Sequence, residues 1–191
     1  AEWHGAQLLV HTLLATKLTL KKDDVSWVTQ LTADRLEGFT KMMERWKGPI
    51  TAALYCRDLK KDLAAIKPLR DRVDFHLILA DLHPGRLYPV NTLRNVAIDN
   101  CRTQYIALVD ADFVPNDGLY ESLLPKIPTW KDGENAVYVL AAFQLQSGKV
   151  VPRTKPELLE MWGKGQLSPV HPEPGRDIAH KHTDYPRWKI A

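Results

Sequence analysis

The sequence predicts an α/β fold, with a mostly parallel sheet and helices on both of its faces. Two observations carry this. Short runs rich in β-branched and aromatic residues alternate about four times with amphipathic helical stretches, the pattern of strands joined by crossover helices. The fourth such run, "YIALVD", ends on the acidic tripeptide Asp110-Ala111-Asp112, and in sheets of this kind ligands sit beyond the carboxyl ends of the strands.

Each element follows in order. The first 23 residues show no clear period and stay unassigned. "VSWVTQL" (25–31) reads as a buried strand. Thr32 is placed to cap the helix that follows, in which Leu36, Phe39, Met43 and Trp46 share one face. Gly48-Pro49 ends that helix, and "ITAALY" (50–55) is a second strand. Residues 58–67 predict a short helix closed at Pro68, its basic face solvated. "VDFHLIL" (73–79) is a third strand. A loop, "HPGRLYP", leads into a helix over 91–100 with Leu93, Val96 and Ala97 facing inward and Asn91 placed to cap it. A strand over 105–110, a helix over 119–126 and a strand "AVYVLAAF" (136–143) complete the α/β half, residues 24–145. From 146 to 191 Pro and His become frequent, and only "PELLEMWGK" (156–164) reads as helical.

Composition narrows the function. The chain has 191 residues, 45% hydrophobic, with a formal charge of +3. That suits a globular protein with an anionic small substrate, and it lacks the clustered Lys and Arg of a nucleic-acid binder. No apolar run is long enough to span a bilayer, so any anchor is expected outside the quoted sequence. Cys56 and Cys101 make no disulfide framework and no Cys-His arrangement, and read as buried thiols.

The acidic pair is the main candidate site. In an extended chain, residues two apart point to the same side, so Asp110 and Asp112 can converge on one hard cation, Mg²⁺ or Mn²⁺, that shares its other positions with substrate phosphates. The competing reading is that Asp110 starts a turn and Asp112 is solvated. Upstream, Arg94 on the helix that feeds the acidic strand can grip phosphate or carboxylate in bidentate fashion, or stand exposed on an amphipathic helix. His171, His180 and His182 lack a third ligand at zinc spacing and read as loop histidines. Trp162 and Trp188 are candidates for stacking on a sugar or base, whereas Trp3, Trp27 and Trp46 fit packing.

Taken together, "VTQLTADRL", "GPITAALY", "LYPVNTLRNVAIDNCRTQYIALVDADFVPNDGLYE" and "HKHTDYPRW" resemble the glucuronyltransferase domain of LARGE-type glycosyltransferases, and are similar also to the related beta-1,4-glucuronyltransferase. The resemblance runs from about Asp24 to the end and is weaker between 145 and 178. It implies a GT-A (Rossmann-like) fold, a UDP-sugar donor carrying glucuronic acid, Mn²⁺ (or Mg²⁺), an inverting transfer to a glycan or glycoprotein acceptor, and a type II membrane protein of the Golgi lumen. It implies that Asp112 ligates the metal directly while Asp110 lies nearer the ribose or a metal-bound water. Thr29 and Gln30 match the nucleotide edge, and Arg94 and Asn95 match an "RN" near the donor. Asp184 and Trp188 match an element near the active-site loops. The family domain continues past that element. The catalytic base is therefore expected beyond Ala191, with Asp184 as the candidate inside the chain, and the chain by itself is expected to be inactive as a transferase. Two other functions compete. A nucleotidyltransferase-like enzyme would favour a Gly-rich loop after the first strand, which "TQLTADRL" lacks. A non-catalytic nucleotide-sugar-binding domain would keep the fold without the chemistry.

Overall fold

The computed structural model describes residues 11–79, 87–130, 137–170 and 183–190. The chain divides into two units, Ala1–Ile127 and Pro128–Ala191. The first is the expected α/β sheet. Its strands are β1 (His11–Leu13), β2 (Val25–Leu31), β3 (Ile50–Cys56), β4 (Val73–Leu79) and β5 (Tyr105–Leu108). They lie in the order β1-β4-β3-β2-β5. β2, β3, β4 and β5 run parallel, and β1 is antiparallel to β4 along the edge.

The helices cover both faces, as a sheet of near-continuous apolar strands requires. β2, β3 and β4 are buried along almost their whole lengths. On one face lies α1 (Leu36–Arg45). Its Phe39 ring stands 6.2 Å from Phe75, and Trp46, just past the helix, stands 5.2 Å from Trp27. On the other face lies α3 (Val90–Asp99), whose Leu93 and Ala97 join Val28, Ala53, Tyr55 and Ile78 in one cluster. α2 (Leu59–Ile66) is capped by the Asp58 carboxylate, which accepts from Lys61 N, and continues as a 3₁₀ turn, Lys67–Leu69, through Pro68. α4 (Leu119–Leu123) opens at Gly118, whose φ of 77° suits a residue without a Cβ.

Buried polar groups pin the periphery to this sheet. Asp74, 1% exposed, accepts from Ala15 N at 2.7 Å and from Arg102 at 2.8 and 2.9 Å. His76 Nδ1 lies 3.0 Å from the Thr12 hydroxyl on β1. Asp24 accepts from Val25 N and from the Tyr120 hydroxyl at 2.8 Å. Gly48 leaves room for that tyrosine, because a Cβ there would lie 2.4 Å from its ring.

Several local expectations need correction. Thr32 caps no helix through its side chain. It precedes a 3₁₀ turn, Ala33–Arg35, and its hydroxyl lies against the Asp34 carboxylate instead. Pro89, not Asn91, stands at the N-cap of α3, so that helix has no side-chain cap. β5 stops at Leu108, two residues short, because the chain turns at the acidic pair. In the second unit the expected strand over 136–143 does not form over residues 137–142, where Val137, Tyr138, Val139 and Leu140 are exposed. A β-branched run becomes a strand only where a ladder receives its backbone groups. The ladder here is β6 (Phe143–Leu145), antiparallel to β7 (Leu167–Pro169). α5 (Lys155–Gly163) matches the expected helix, and Thr154 caps it by accepting from Glu157 N. α6 (Tyr185–Ile190) adds a helix where none was expected. Phe143 gathers Trp162, Tyr185 and Trp188 around it at 4.9–5.4 Å, so both tryptophans proposed for sugar stacking pack within this unit.

Candidate functional site

The connectivity of the sheet selects one place. From β2 the chain steps to β3 and then β4 on one side, and returns to the other side of β2 with β5. Sheets of this kind take ligands in the crevice beyond the carboxyl ends of the strands at such a switch point, here between β2 and β5. The acidic tripeptide follows β5 directly, and Gln30 lies near the end of β2.

Asp110 and Asp112 lie on a turn, closed by Phe113 N donating to Asp110 O at 3.1 Å, and not on an extended strand. The turn, rather than strand alternation, brings the pair to the crevice. Arg94 of α3 donates from Nη2 to Asp110 Oδ1 at 2.6 Å, so the helix cation and the strand-tip carboxylate form one pair. Asp112 is exposed, and among the described residues no hydrogen bond or ion pair engages its carboxylate. α1 supports the turn from behind: a Cβ on Gly38 would lie 3.7 Å from Ala111 O and 4.0 Å from Asp112 Cα. Arg45, on the same helix and 9% exposed in its side chain, donates to Pro115 O at 3.2 Å and lies 3.7 Å from Asp117. The segment after the acidic pair is thus anchored by the Arg45 guanidinium.

Across the crevice, the Tyr88 hydroxyl donates to Gln30 Oε1. The Tyr88 ring packs edge-on against Tyr55, with centroids 5.4 Å apart. Burial, with the carboxylates of Asp34 and Asp110 nearby, pushes the Tyr88 phenol up to about 12. Asp34 is held below its ordinary value, chiefly by the Thr32 hydroxyl and further by Arg35 and Arg57.

The structure does not gather every expected residue. Thr29 is 1% exposed, and strand alternation turns it to the face opposite Gln30; its hydroxyl is buried with no hydrogen-bond partner among the described residues. Asn95 is exposed on α3 and makes no hydrogen bond among the described residues, since one helical step turns it about 100° from Arg94. Asp184 lies in the second unit and accepts from Arg187 N at 2.9 Å, capping α6. His171, His180 and His182 lie outside the described residues. Tyr88 was missed. Tyr88 stands at the head of the "YPVNTLRN" stretch, but nothing in its spacing points to Gln30.

Among the described residues no group of three His, Cys, Asp or Glu side chains could enclose a metal ion. Two carboxylates on one turn, one of them unengaged, are instead the donor chemistry of a hard cation that completes its shell with phosphate oxygens and water. The acidic pair fits such a cation.

The family model described as "Glycosyl-transferase for dystroglycan" matches residues 78–191. A xylosyl- and glucuronyltransferase LARGE2s of Gallus gallus is 34% identical over 179 residues, covering 88% of this chain and 23% of the relative. The xylosyl- and glucuronyltransferase LARGE2 of Rattus norvegicus is 34% identical over 208 residues, covering 100% of this chain and 29% of the relative. The glycosyltransferase-like protein gnt14 of Dictyostelium discoideum is 34% identical over 197 residues, covering 92% and 30%. The chain spans less than a third of the length of these relatives.

Proposed function

The chain belongs to the family of glycosyl-transferases for dystroglycan, and from that premise we propose that it carries the donor half of a metal-dependent transferase that moves a sugar, glucuronic acid, from a UDP-sugar to a glycan acceptor with inversion. The observation behind this reading is the acidic turn at the β2/β5 switch point, with Gln30 and Tyr88 across from it and Arg94 beside it.

The donor lies across the crevice, its base towards Gln30 and its diphosphate towards the turn after β5. Asp112 would hold the cation, Mn²⁺ or Mg²⁺, with Asp110 beside it, paired with Arg94. The cation supplies neutralisation of the charge that builds on the departing diphosphate. Arg94 adds fixed positive charge beside the same leaving group, in a geometry set before the substrate arrives. An inverting displacement also needs a base within reach of the acceptor hydroxyl. Asp184, the candidate inside the chain, accepts from Arg187 N with one carboxylate oxygen at the start of α6. The acceptor is a glycan or glycoprotein, and the enzyme works in the Golgi lumen on an anchor outside residues 1–191. Among the described residues no helix is long and apolar enough to cross a membrane.

Calorimetry of UDP binding with Mn²⁺ and with EDTA tests the reading. Binding that requires Mn²⁺ and is lost in Asp110→Ala/Asp112→Ala supports it. Binding indifferent to both sinks it. A panel of UDP-sugars in a donor-hydrolysis assay then names the sugar.

A further inference from the structure

The ion pair between Arg94 and Asp110 bears on when a cation can bind. Both partners are held from behind. Leu93 and Ala97 are buried and seat α3 on the sheet, and Val109 N donates to Val28 O at 3.0 Å just before the acidic turn. The fold itself therefore brings the guanidinium to 2.6 Å from Asp110 Oδ1. Asp112, on the same turn, is exposed, and among the described residues nothing engages its carboxylate. Of the two carboxylates, one is open and the other is claimed by a cation of the protein. One exposed carboxylate holds a hard dication weakly, because such an ion takes six or more oxygen ligands and a single carboxylate replaces little of its water shell. The neighbouring guanidinium also repels a second positive charge. The pair is easily redistributed: at 34% and 46% side-chain exposure, solvent screens it.

Resting on the nucleotide-sugar reading above, we infer that Arg94 makes cation binding conditional on the diphosphate. Without phosphate, Arg94 and the cation compete for Asp110. A diphosphate laid against the turn offers the guanidinium, with its five N–H donors, a stronger anionic partner, and Asp110 is released to face the cation. The same residue thus opposes the metal alone and favours the metal with the nucleotide. A ligand shifts such an equilibrium only through its different affinities for the two arrangements, and the coupling is reciprocal. The factor by which UDP tightens Mn²⁺ equals the factor by which Mn²⁺ tightens UDP, and Arg94 supplies part of it. The site then selects a cation and a diphosphate together over either one alone.

The test measures both halves on the 191-residue chain. Electron paramagnetic resonance, which counts free Mn²⁺, gives the affinity for Mn²⁺ without nucleotide. Calorimetry gives the affinity for UDP in saturating Mn²⁺ and in EDTA, and their ratio is the coupling factor. Arg94→Met removes the charge and keeps an unbranched side chain on α3, and its melting temperature checks that the fold is intact. It is expected to bind Mn²⁺ alone about three- to tenfold more tightly than wild type, and its coupling factor should fall by about the same amount. In an Asp110→Asn background, Arg94→Met should no longer tighten Mn²⁺, because the carboxylate it would release is gone. An unchanged Mn²⁺ affinity in Arg94→Met would overturn the inference. So would tighter Mn²⁺ with an unchanged coupling factor, which makes Arg94 a general repulsive charge, or tightening that persists beside Asp110→Asn. Failure of the nucleotide-sugar reading looks different: Arg94→Met still tightens Mn²⁺ alone, but UDP binds wild type equally in Mn²⁺ and in EDTA, and the coupling falls with that reading.

Discussion

Asp112 and Arg94 differ in what they already hold, and that separates the effects of removing them. Nothing described in the protein engages Asp112, so its loss should leave the fold untouched and remove the metal requirement. Asp112→Ala is expected to bind UDP equally weakly with Mn²⁺ and with EDTA in a calorimetric titration. Arg94 is paired with Asp110, and the two side chains are 34% and 46% exposed, so solvent screens the pair. Arg94→Met should cost under about 1 kcal/mol of stability by denaturant unfolding, yet weaken Mn²⁺-UDP binding about tenfold. Equal affinity would place Arg94 outside the donor's reach. The cysteines give a second prediction at this scale. Burial, with the nearby charge of Asp62, raises the Cys56 thiol to about 11. At pH 8 only a thousandth or so of it is thiolate, the reactive form. Iodoacetamide at that pH should therefore label half-buried Cys101 first and reach Cys56 only after denaturation, as read by peptide mass spectrometry. The acidic pair was legible in the sequence because a β-branched run stopping on carboxylates is a local signal. Tyr88 with Gln30 was not, because that contact closes over many residues and leaves no spacing to read.

Elements were legible where the pattern determined the burial, and misread where a partner did. β2, β3, β4 and α1 follow their apolar periodicity because both faces of the sheet are covered. The run 137–142 has the composition of a strand but no ladder. The short β1 has the reverse character. Nothing in its three residues announces a strand, and it forms because β4 offers an edge with His76 and Asp74 ready to hold Thr12 and Ala15. That attachment carries a pH dependence. Burial lowers the His76 imidazole below its ordinary value of 6.5, helped by Arg102 and opposed by Asp74, so the folded chain keeps it neutral where an unfolded chain would protonate it. The unfolded state then binds more protons as pH falls below about 6.5, and folding stability falls with it. Above that pH the group contributes no such slope. His76→Asn should flatten the decline of the melting temperature between pH 7 and pH 5. An identical decline in the variant would assign the acid sensitivity to other groups.

At the scale of the whole molecule, the candidate donor site belongs to one unit. Gln30, Tyr88, Arg94, Asp110 and Asp112, with the supporting Gly38 and Arg45, all lie within Ala1–Ile127. So does the core that fixes them: the α3 cluster on Val28, Ala53 and Ile78, and the aromatic packing of Trp27, Trp46 and Tyr120. The alternation of strands and helices made the fold class legible in the sequence. Strand order was not legible, because nothing local states that the chain returns past β2 to place β5, and that return creates the crevice. The second unit has its own aromatic centre on Phe143 and its own capped helix. A site built wholly within one unit should survive alone, since a domain with its own hydrophobic core can in principle fold independently. Residues 1–127 expressed separately are therefore expected to show a cooperative thermal transition by circular dichroism and to bind Mn²⁺-UDP within about threefold of the 191-residue chain, a difference under 1 kcal/mol. A folded 1–127 chain that fails to bind would mean that residues after Ile127 supply part of the donor site, and the search for the missing ligand would then move to the second unit.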